Sequence, residues 1–292
     1  MKVLIIGHGF VGQAVHYGFS NQQVTVVDPK YSGLNPNYLD EIPEDTSDYD
    51  LVFICVPTPM GADGSCNTNI LDQVLTHIPF QPNHSKQVVA IKSTIPPRSI
   101  AKYSRRKNIV YNPEFLTERS AAEQFVDPQF HVFGGNPESC KQLAELYELF
   151  SLCNTCPVHI MGLEEASFTK YAINSFLAVK VTFFNQLYDV TQGYAFESII
   201  KAVGSDKRIG HSHTKVPGFD MKKGYGGACF PKDTAAITND HPELTLIKEC
   251  VKINNEYRNE YSLDEREKEQ HVNYGQTKEE LQDKIVGGPI SV

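Results

Sequence analysis

Seven short apolar runs recur between residues 2 and 161: KVLII (2–6), QVTVVD (23–28), DLVFICV (50–56), QVVAIKS (87–93), NIVY (108–111), HVFGG (131–135) and CPVHIM (156–161). Their hydrophobicity is continuous rather than alternating, as in strands buried on both faces of a parallel sheet. Helical patterns fall between several of them, PESCKQLAELYELFS being the clearest. Strand and helix in alternation predict an α/β fold built on a doubly wound parallel sheet. From Glu164 the texture changes. EEASFTKYAINSFLAVKVTFFNQLYDVTQGY reads as one long helix with no proline and no glycine before Gly193, and AFESIIKAVG and LTLIKECVKINNEYRNEY continue the helical pattern. The sequence therefore divides into a sheet domain over 1–162, an all-helical domain over 163–261 and a charged tail over 262–292. That tail has few apolar anchors, so a solvated helix or disorder is expected there.

A chain of 292 residues, 40% hydrophobic and 21% charged, has material for two ordinary cores. The formal net charge of -8 and the lack of any Lys/Arg-rich run argue against nucleic acid as the main partner. No run reaches the roughly 18 uninterrupted apolar residues of a membrane span, and MKVLIIGHGF carries no small-residue cleavage pattern, so a cytoplasmic chain without a membrane partner is expected. The seven cysteines (55, 66, 140, 153, 156, 229 and 250) are odd in number and scattered, which predicts reduced thiols. Cys55, inside LVFICVP, reads as a buried strand residue. Cys153 and Cys156 form a single C-x-x-C with no second pair or spaced histidines at zinc spacing, so no metal site is expected.

GHGFVG, with Gly7, Gly9 and Gly12 around Phe10 and Val11, follows the first strand directly and opens a helix. In that context the glycines permit a tight turn, close approach of a pyrophosphate and close helix-to-strand packing, while the helix N-terminus supplies donors and a favourable dipole. Asp28, at the end of the second strand, can accept hydrogen bonds from an adenosine ribose diol and would repel a 2′-phosphate. A Rossmann-like domain taking NAD rather than NADP is therefore expected.

Thr58 in VPTP and Thr94 in KSTIPP end the third and fourth strands, where ligands of open α/β sheets bind; either could equally cap a turn. Glu114 and Glu118 in NPEFLTERSA share a face if that segment is helical, and two such carboxylates could position a water and take its proton; the alternative is a charged surface turn. Lys170 and Asn174 in KYAIN lie on one stripe of the long helix and can both donate to a developing oxyanion, unless the lysine simply reaches solvent. In GYGGACFPKD, Cys229 and Asp233 are four apart and PKD resembles a helix start. A thiol beside a helix N-terminus and a lysine is expected to have a lowered pKa and to be a competent nucleophile.

GHGFVG, VPTP, KSTIPP, NPEFLTE, EEASFTKYAIN, RIGHSHTKVPG and GYGGACFPKD, in this order and spacing, resemble the UDP-glucose/GDP-mannose dehydrogenase family over residues 1 to 258. The last of these motifs is the most specific. The resemblance implies an NAD-binding domain and a central helical domain, and an enzyme that oxidises the C6 alcohol of a nucleotide sugar twice, UDP-glucose first among candidates, reducing two NAD and yielding a uronate.

Carried over position by position, the resemblance implies that Cys229 is the nucleophile, holding the C6 aldehyde as a thiohemiacetal and then a thioester. Lys170 and Asn174 would stabilise the oxyanion, Asp233 with Lys170 would hold the water or proton acceptor of the first oxidation, and Glu118 would assist thioester hydrolysis with Thr94 and Glu114 in the same water network. NAD would contact Gly7, Gly9, Phe10, Val11, Gly12, Asp28, Thr58, Thr94, Glu118 and Lys232. The sugar nucleotide would contact Glu114, Lys170, Asn174, Arg208 reaching across a homodimer, Tyr225, Gly226 and Gly227. The dimer would form through the long central helix, which is apolar on more than one side.

The family continues into a third α/β domain that closes over the nucleotide, and the residues after Asp233 show no further βαβ pattern, so that domain is expected to be missing. Two other readings fit parts of the sequence. A two-domain β-hydroxyacid dehydrogenase using a lysine explains the length but leaves GYGGACFPKD without a purpose. A non-enzymatic NAD-binding relative of the family is the other.

Overall fold

The structure, a computed structural model, describes residues 1–31, 38–79, 86–191 and 195–275. Gly193 and the terminal IVGGPISV stretch lie outside the described residues. Spatial contacts separate two compact units: Met1–Thr58 with Asn67–Lys170, and Pro59–Cys66 with the residues from Tyr171 on. The change of sequence texture lies at 162 and 163, whereas this division falls eight residues further along, inside the long helix.

The first unit runs β1 (Lys2–Ile6), α1 (Phe10–Gly18), β2 (Gln23–Val27), β3 (Leu51–Ile54), α2 (Asn69–His77), β4 (Val88–Ile91), α3 (Pro97–Ile100), β5 (Ile109–Tyr111), α4 (Ala121–Val126), β6 (His131–Gly135), α5 (Pro137–Phe150) and β7 (Val158–Met161). All seven apolar runs are strands of one sheet, in the order β2-β1-β3-β4-β5-β6-β7. Every residue of the central strands β3, β4 and β5 is buried. Successive residues face opposite sides. Leu4, Ile6, Val52, Ile54, Val89 and Ile91 join one core with Leu71, Val74 and Leu75 of α2. Val3, Ile5, Leu51, Phe53, Val88 and Ala90 join the other with Val15 of α1 and Leu143 and Tyr147 of α5. Five strand pairs are parallel. β5 and β6 pair antiparallel, which corrects the all-parallel expectation at that point. Antiparallel neighbours need no helix crossing a sheet face, and here the connection carries a single 3₁₀ turn, Glu118–Ser120, and the six-residue α4.

A polar cluster gathers at the carboxyl ends of β4 and β5. Lys92, just past β4, is buried and donates from Nζ to Asn112 Oδ1 at 3.0 Å, with Nζ 5.6 Å from the Phe125 ring centre. The Tyr147 hydroxyl donates to the same oxygen at 2.8 Å, and Asn112 Nδ2 donates to the Val132 carbonyl at 3.2 Å, so the cluster ties β4, β5, β6 and α5 together. Desolvation pulls Lys92 from an ordinary 10.5 down to about 8, against the upward pull of Cys55 and then Glu114.

The second unit contains most of α6 (Leu163–Val190), then α7 (Phe196–Gly204), α8 (Phe230–Asp240), α9 (Thr245–Arg258) and α10 (Glu265–Glu269). α6 has 28 residues, about 42 Å of helix. Within the second unit it buries Tyr171, Ala178 and Phe184, while Phe176, Phe183 and Val190, spaced by sevens, are 67%, 57% and 80% exposed. The expected solvated tail is corrected through residue 275: Val272 and Tyr274 are buried beside Met60, and Glu267 is fully buried. No helix among the described residues is long and apolar enough to cross a membrane.

Lys92 yields a prediction with a definite sign. Its folded pKa lies below its unfolded one, so between pH 8 and 10.5 the unfolded chain binds the extra proton and unfolding free energy rises with pH. Below that window both states are charged and the burial penalty stands in full. Urea titrations of Lys92→Met should therefore lose about 2 kcal/mol of that rise between pH 8 and 10 while remaining folded at pH 7. An unchanged pH slope would remove Lys92 as its source.

Candidate functional site

In the first unit, β1 ends in a turn that only glycine can make. Gly7 has φ +91°, and a Cβ there would lie 2.6 Å from the Cys55 carbonyl oxygen and 2.9 Å from the Val56 nitrogen. Gly12, one turn into α1, would press a Cβ to 2.1 Å from the Gly7 carbonyl oxygen. Gly9 differs, since a Cβ there would meet nothing within 4 Å. It is the N-cap of α1 and has no side chain to satisfy the first-turn N–H groups at the positive end of the helix. Asp28 is buried one residue past β2. Its carboxylate accepts the His8 backbone N–H at 2.6 Å and the Lys30 N–H at 2.8 Å, which locks the glycine loop to the end of β2. An open helix terminus with a carboxylate at the neighbouring strand end suits a dinucleotide's pyrophosphate and ribose diol.

Thr58, Thr94 and Glu114 follow β3, β4 and β5, at the carboxyl ends of adjacent parallel strands, and all three are buried. Lys170 Nζ donates to Glu114 Oε1 at 3.0 Å and to the Glu114 carbonyl at 2.6 Å, and Glu114 Oε2 accepts the Leu116 N–H at 2.7 Å. Lys170 therefore does not reach solvent; it holds the loop after β5. The expectation of a shared helical face for Glu114 and Glu118 is corrected. Residues 112–117 are not helical, and Glu118 begins an exposed single 3₁₀ turn, Glu118–Ser120.

In the second unit, Cys229 is the N-cap residue of α8, half-buried, and its carbonyl accepts the Asp233 N–H at 2.9 Å. Asp233 is almost wholly buried and accepts from Asn174 Nδ2 at 2.6 Å and from Lys232 Nζ at 2.6 Å. Desolvation disfavours charge on Lys232, but Asp233, then the Cys229 and Cys66 thiols, more than offset it and raise its pKa. The thiol thus lies beside a buried ammonium at a helix N-terminus. Tyr225 is buried among Ala178, Cys250 and Phe230, its hydroxyl 3.3 Å from Thr234 Oγ1, so the half-exposed part of its loop is Gly226 and Gly227. Arg208 is exposed and paired with Asp206 at 2.7 Å.

Several contributors escape pattern reading. Asn254 clamps Tyr225 reciprocally, accepting its N–H at 2.6 Å and donating to its carbonyl at 3.0 Å, and Asn185 accepts the Gly224 N–H at 3.0 Å. Arg258 and Glu267 form a fully buried pair, Nη2 to Oε1, at 2.7 Å. The available signal was Asp264-x-x-Glu267, a capping box that marks a real helix start inside the charged tail.

Residues 37–151 match the family model for the UDP-glucose/GDP-mannose dehydrogenase family, NAD binding domain, and residues 164–256 match that family's central domain. The first match starts beyond the glycine loop, whose assignment rests on its geometry. A UDP-glucose 6-dehydrogenase of Rickettsia conorii is 29% identical over 299 residues, covering 87% of this chain and 66% of that protein. One from Pseudomonas aeruginosa is 31% identical over 281 residues, covering 81% and 60%. The solved UDP-glucose dehydrogenase of Pyrobaculum islandicum superposes with a TM-score of 0.70 at 27% identity, covering 89% of this chain and 69% of that one. The chain thus spans about two thirds of the length of the relatives it matches.

Gly12 and Gly9 should separate by experiment. Gly12→Ala meets backbone that cannot yield and should cost at least about 2 kcal/mol by chemical denaturation. Gly9→Ala meets open space and should cost under about 1 kcal/mol, yet weaken NAD binding measured by calorimetry by about tenfold or more. Equal effects of both on stability would contradict these roles.

Proposed function

The chain belongs to the UDP-glucose/GDP-mannose dehydrogenase family, and on that premise we propose that it oxidises the C6 alcohol of a nucleotide sugar, UDP-glucose first, to the uronate with reduction of two NAD. The observation that carries the proposal is Cys229 at the N-cap of α8 beside the Lys232–Asp233–Asn174 cluster, a nucleophile's setting that a single two-electron oxidation would not use.

NAD, suited by the open terminus of α1 and by Asp28, supplies the hydride acceptor for both oxidations. In the first, the C6 hydroxyl loses its proton to a water held by Asp233 and Lys170 as hydride leaves C6. The Cys229 sulfur then bonds to the aldehyde carbon, and Lys170 and Asn174 donate to the oxygen that becomes negative, giving a thiohemiacetal. Loss of the second hydride, with the hydroxyl proton, leaves a thioester. Water adds to its carbonyl with Glu118 as base and Thr94 and Glu114 in the same network; the carbon–sulfur bond breaks, returning the Cys229 thiol and releasing the carboxylate. Covalent capture keeps the aldehyde from escaping between steps. Lys232 serves Asp233, donating to that carboxylate and fixing its orientation. Thr58 and Thr94 contact NAD, and Gly226 and Gly227 line the sugar side. A homodimer through the α6 stripe of Phe176, Phe183 and Val190 fits their exposure, and Arg208, on an exposed loop, is free of its own core to reach a partner's substrate.

Mixing the protein with UDP-glucose and excess NAD should give two NADH per sugar consumed. NAD binding without any absorbance rise with any UDP- or GDP-hexose would overturn the proposal. Cys229→Ser should lower uronate turnover by about a thousandfold or more while NAD affinity stays unchanged; an unaltered steady-state rate would eliminate the thioester. For the dimer, Phe176→Asp with Phe183→Asp should halve the sedimenting mass, and an unchanged mass would exclude this stripe as the interface.

A further inference from the structure

The loop that carries Tyr225, Gly226 and Gly227 toward Cys229 rests on residues that lie beyond the central-domain match, which ends at residue 256. Arg258 closes α9 and Glu267 lies in α10; they are 1% and 0% exposed. Glu267 Oε1 accepts from Arg258 Nη2 at 2.7 Å, from the Tyr274 hydroxyl at 2.7 Å and from the Gly227 backbone N–H at 3.1 Å. Its Oε2 accepts the Asp264 N–H at 2.9 Å. Arg258 Nη1 in turn donates to Asp220 Oδ2 at 2.7 Å.

The loop is shaped to this pair. A Cβ on Gly226 would fall 2.2 Å from Arg258 Nη2 and 2.5 Å from Glu267 Oε1. A Cβ on Gly227, where φ is +81°, would meet nothing within 4 Å, so that side of the loop is open. The segment bearing Glu267 is tied at both ends: Lys222 Nζ donates to the Ser262 carbonyl at 2.6 Å, and the Met60 N–H donates to the Gln270 carbonyl at 2.9 Å. Burying such a charge network rarely adds stability over apolar packing of equal volume; what it supplies is a fixed geometry.

We infer that Glu267 is a positioning residue for the Cys229 loop, its carboxylate oriented by Arg258 and Tyr274 and fixing Gly226 and Gly227 two to three residues before the thiol. This rests on Cys229 being the nucleophile of nucleotide-sugar oxidation.

The test compares Glu267→Ala, Glu267→Gln and Tyr274→Phe in the full chain by amide hydrogen exchange over 224–229 and by steady-state kinetics. Glu267→Ala should speed exchange in that segment about tenfold while leaving β1 to β4 unchanged, and should raise the UDP-glucose KM about tenfold with the NAD KM unaltered. Glu267→Gln, whose amide oxygen still accepts from Gly227, should restore both to within about threefold of the parent. Wild-type exchange over 224–229 in Glu267→Ala, or a fall in kcat alone without rescue by glutamine, overturns the inference. Should Glu267→Ala not fold, Tyr274→Phe decides: faster exchange over 224–229 supports the inference and unchanged exchange overturns it. If the parent protein forms no NADH with any sugar nucleotide, the oxidation reading has failed, and the exchange measurements still decide whether Glu267 holds the loop.

Discussion

A charge taken out of water costs several kcal/mol unless a partner of opposite sign or a set of good dipoles is already in place. Among the described residues, three of the four buried lysine and arginine side chains meet that requirement with carboxylates: Lys170 with Glu114, Lys232 with Asp233, and Arg258 with Glu267 and Asp220. Each pair stands where the chain has just left a strand or is about to enter a helix. The first sits on the loop after β5, the second in the opening turn of α8, and the third under the glycines before Cys229. Hydrophobic packing would hold these segments together, but it is not directional; an ion pair with its remaining lone pairs filled by backbone N–H groups fixes orientation as well as distance. The segments carrying the candidate chemistry are thus held in place by charge.

The fourth buried cation follows a different rule. Lys92 is met by the Asn112 side-chain oxygen and the Phe125 ring, and desolvation is the largest influence on its proton affinity. It shows how far a dipole and a ring can substitute for a carboxylate, and where that substitution leaves a penalty.

Much of the first unit was legible because burial on both faces forces continuous β-branched runs, and VFI or VVAI between polar residues can hardly be anything else. The antiparallel turn at β6 was not legible, since strand direction leaves no mark on a four- or five-residue apolar run. Glu114 and Glu118 were misplaced for a related reason. Their spacing of four suggests a helix, but residues 112–117 are not helical: Glu114 is held inward by Lys170 and the Leu116 N–H, and Glu118 lies outward on an exposed turn. In the second unit the motif around Cys229 announced itself, whereas its supports did not. Asn185, Asn254, Arg258 and Glu267 act on residues up to 40 positions away. Periodicity records which face of an element is apolar; it says nothing of which distant polar group will be waiting there. The charged stretch after residue 262 looked solvated on composition alone, yet Glu267, Val272 and Tyr274 are buried within it, while Glu265, Lys268 and Glu269 stay exposed.

The N-cap at Gly9 carries a thermodynamic consequence. A helix whose N-cap has no side chain begins with donors that solvent must satisfy, and α1 is such a helix. A pyrophosphate set against that end would complete the secondary structure as a serine or aspartate cap does elsewhere, so cofactor occupancy and folding of the first unit are linked equilibria. The melting temperature of the protein then becomes a measure of its cofactor concentration, and the cell's dinucleotide pool contributes to how much of this chain stays folded.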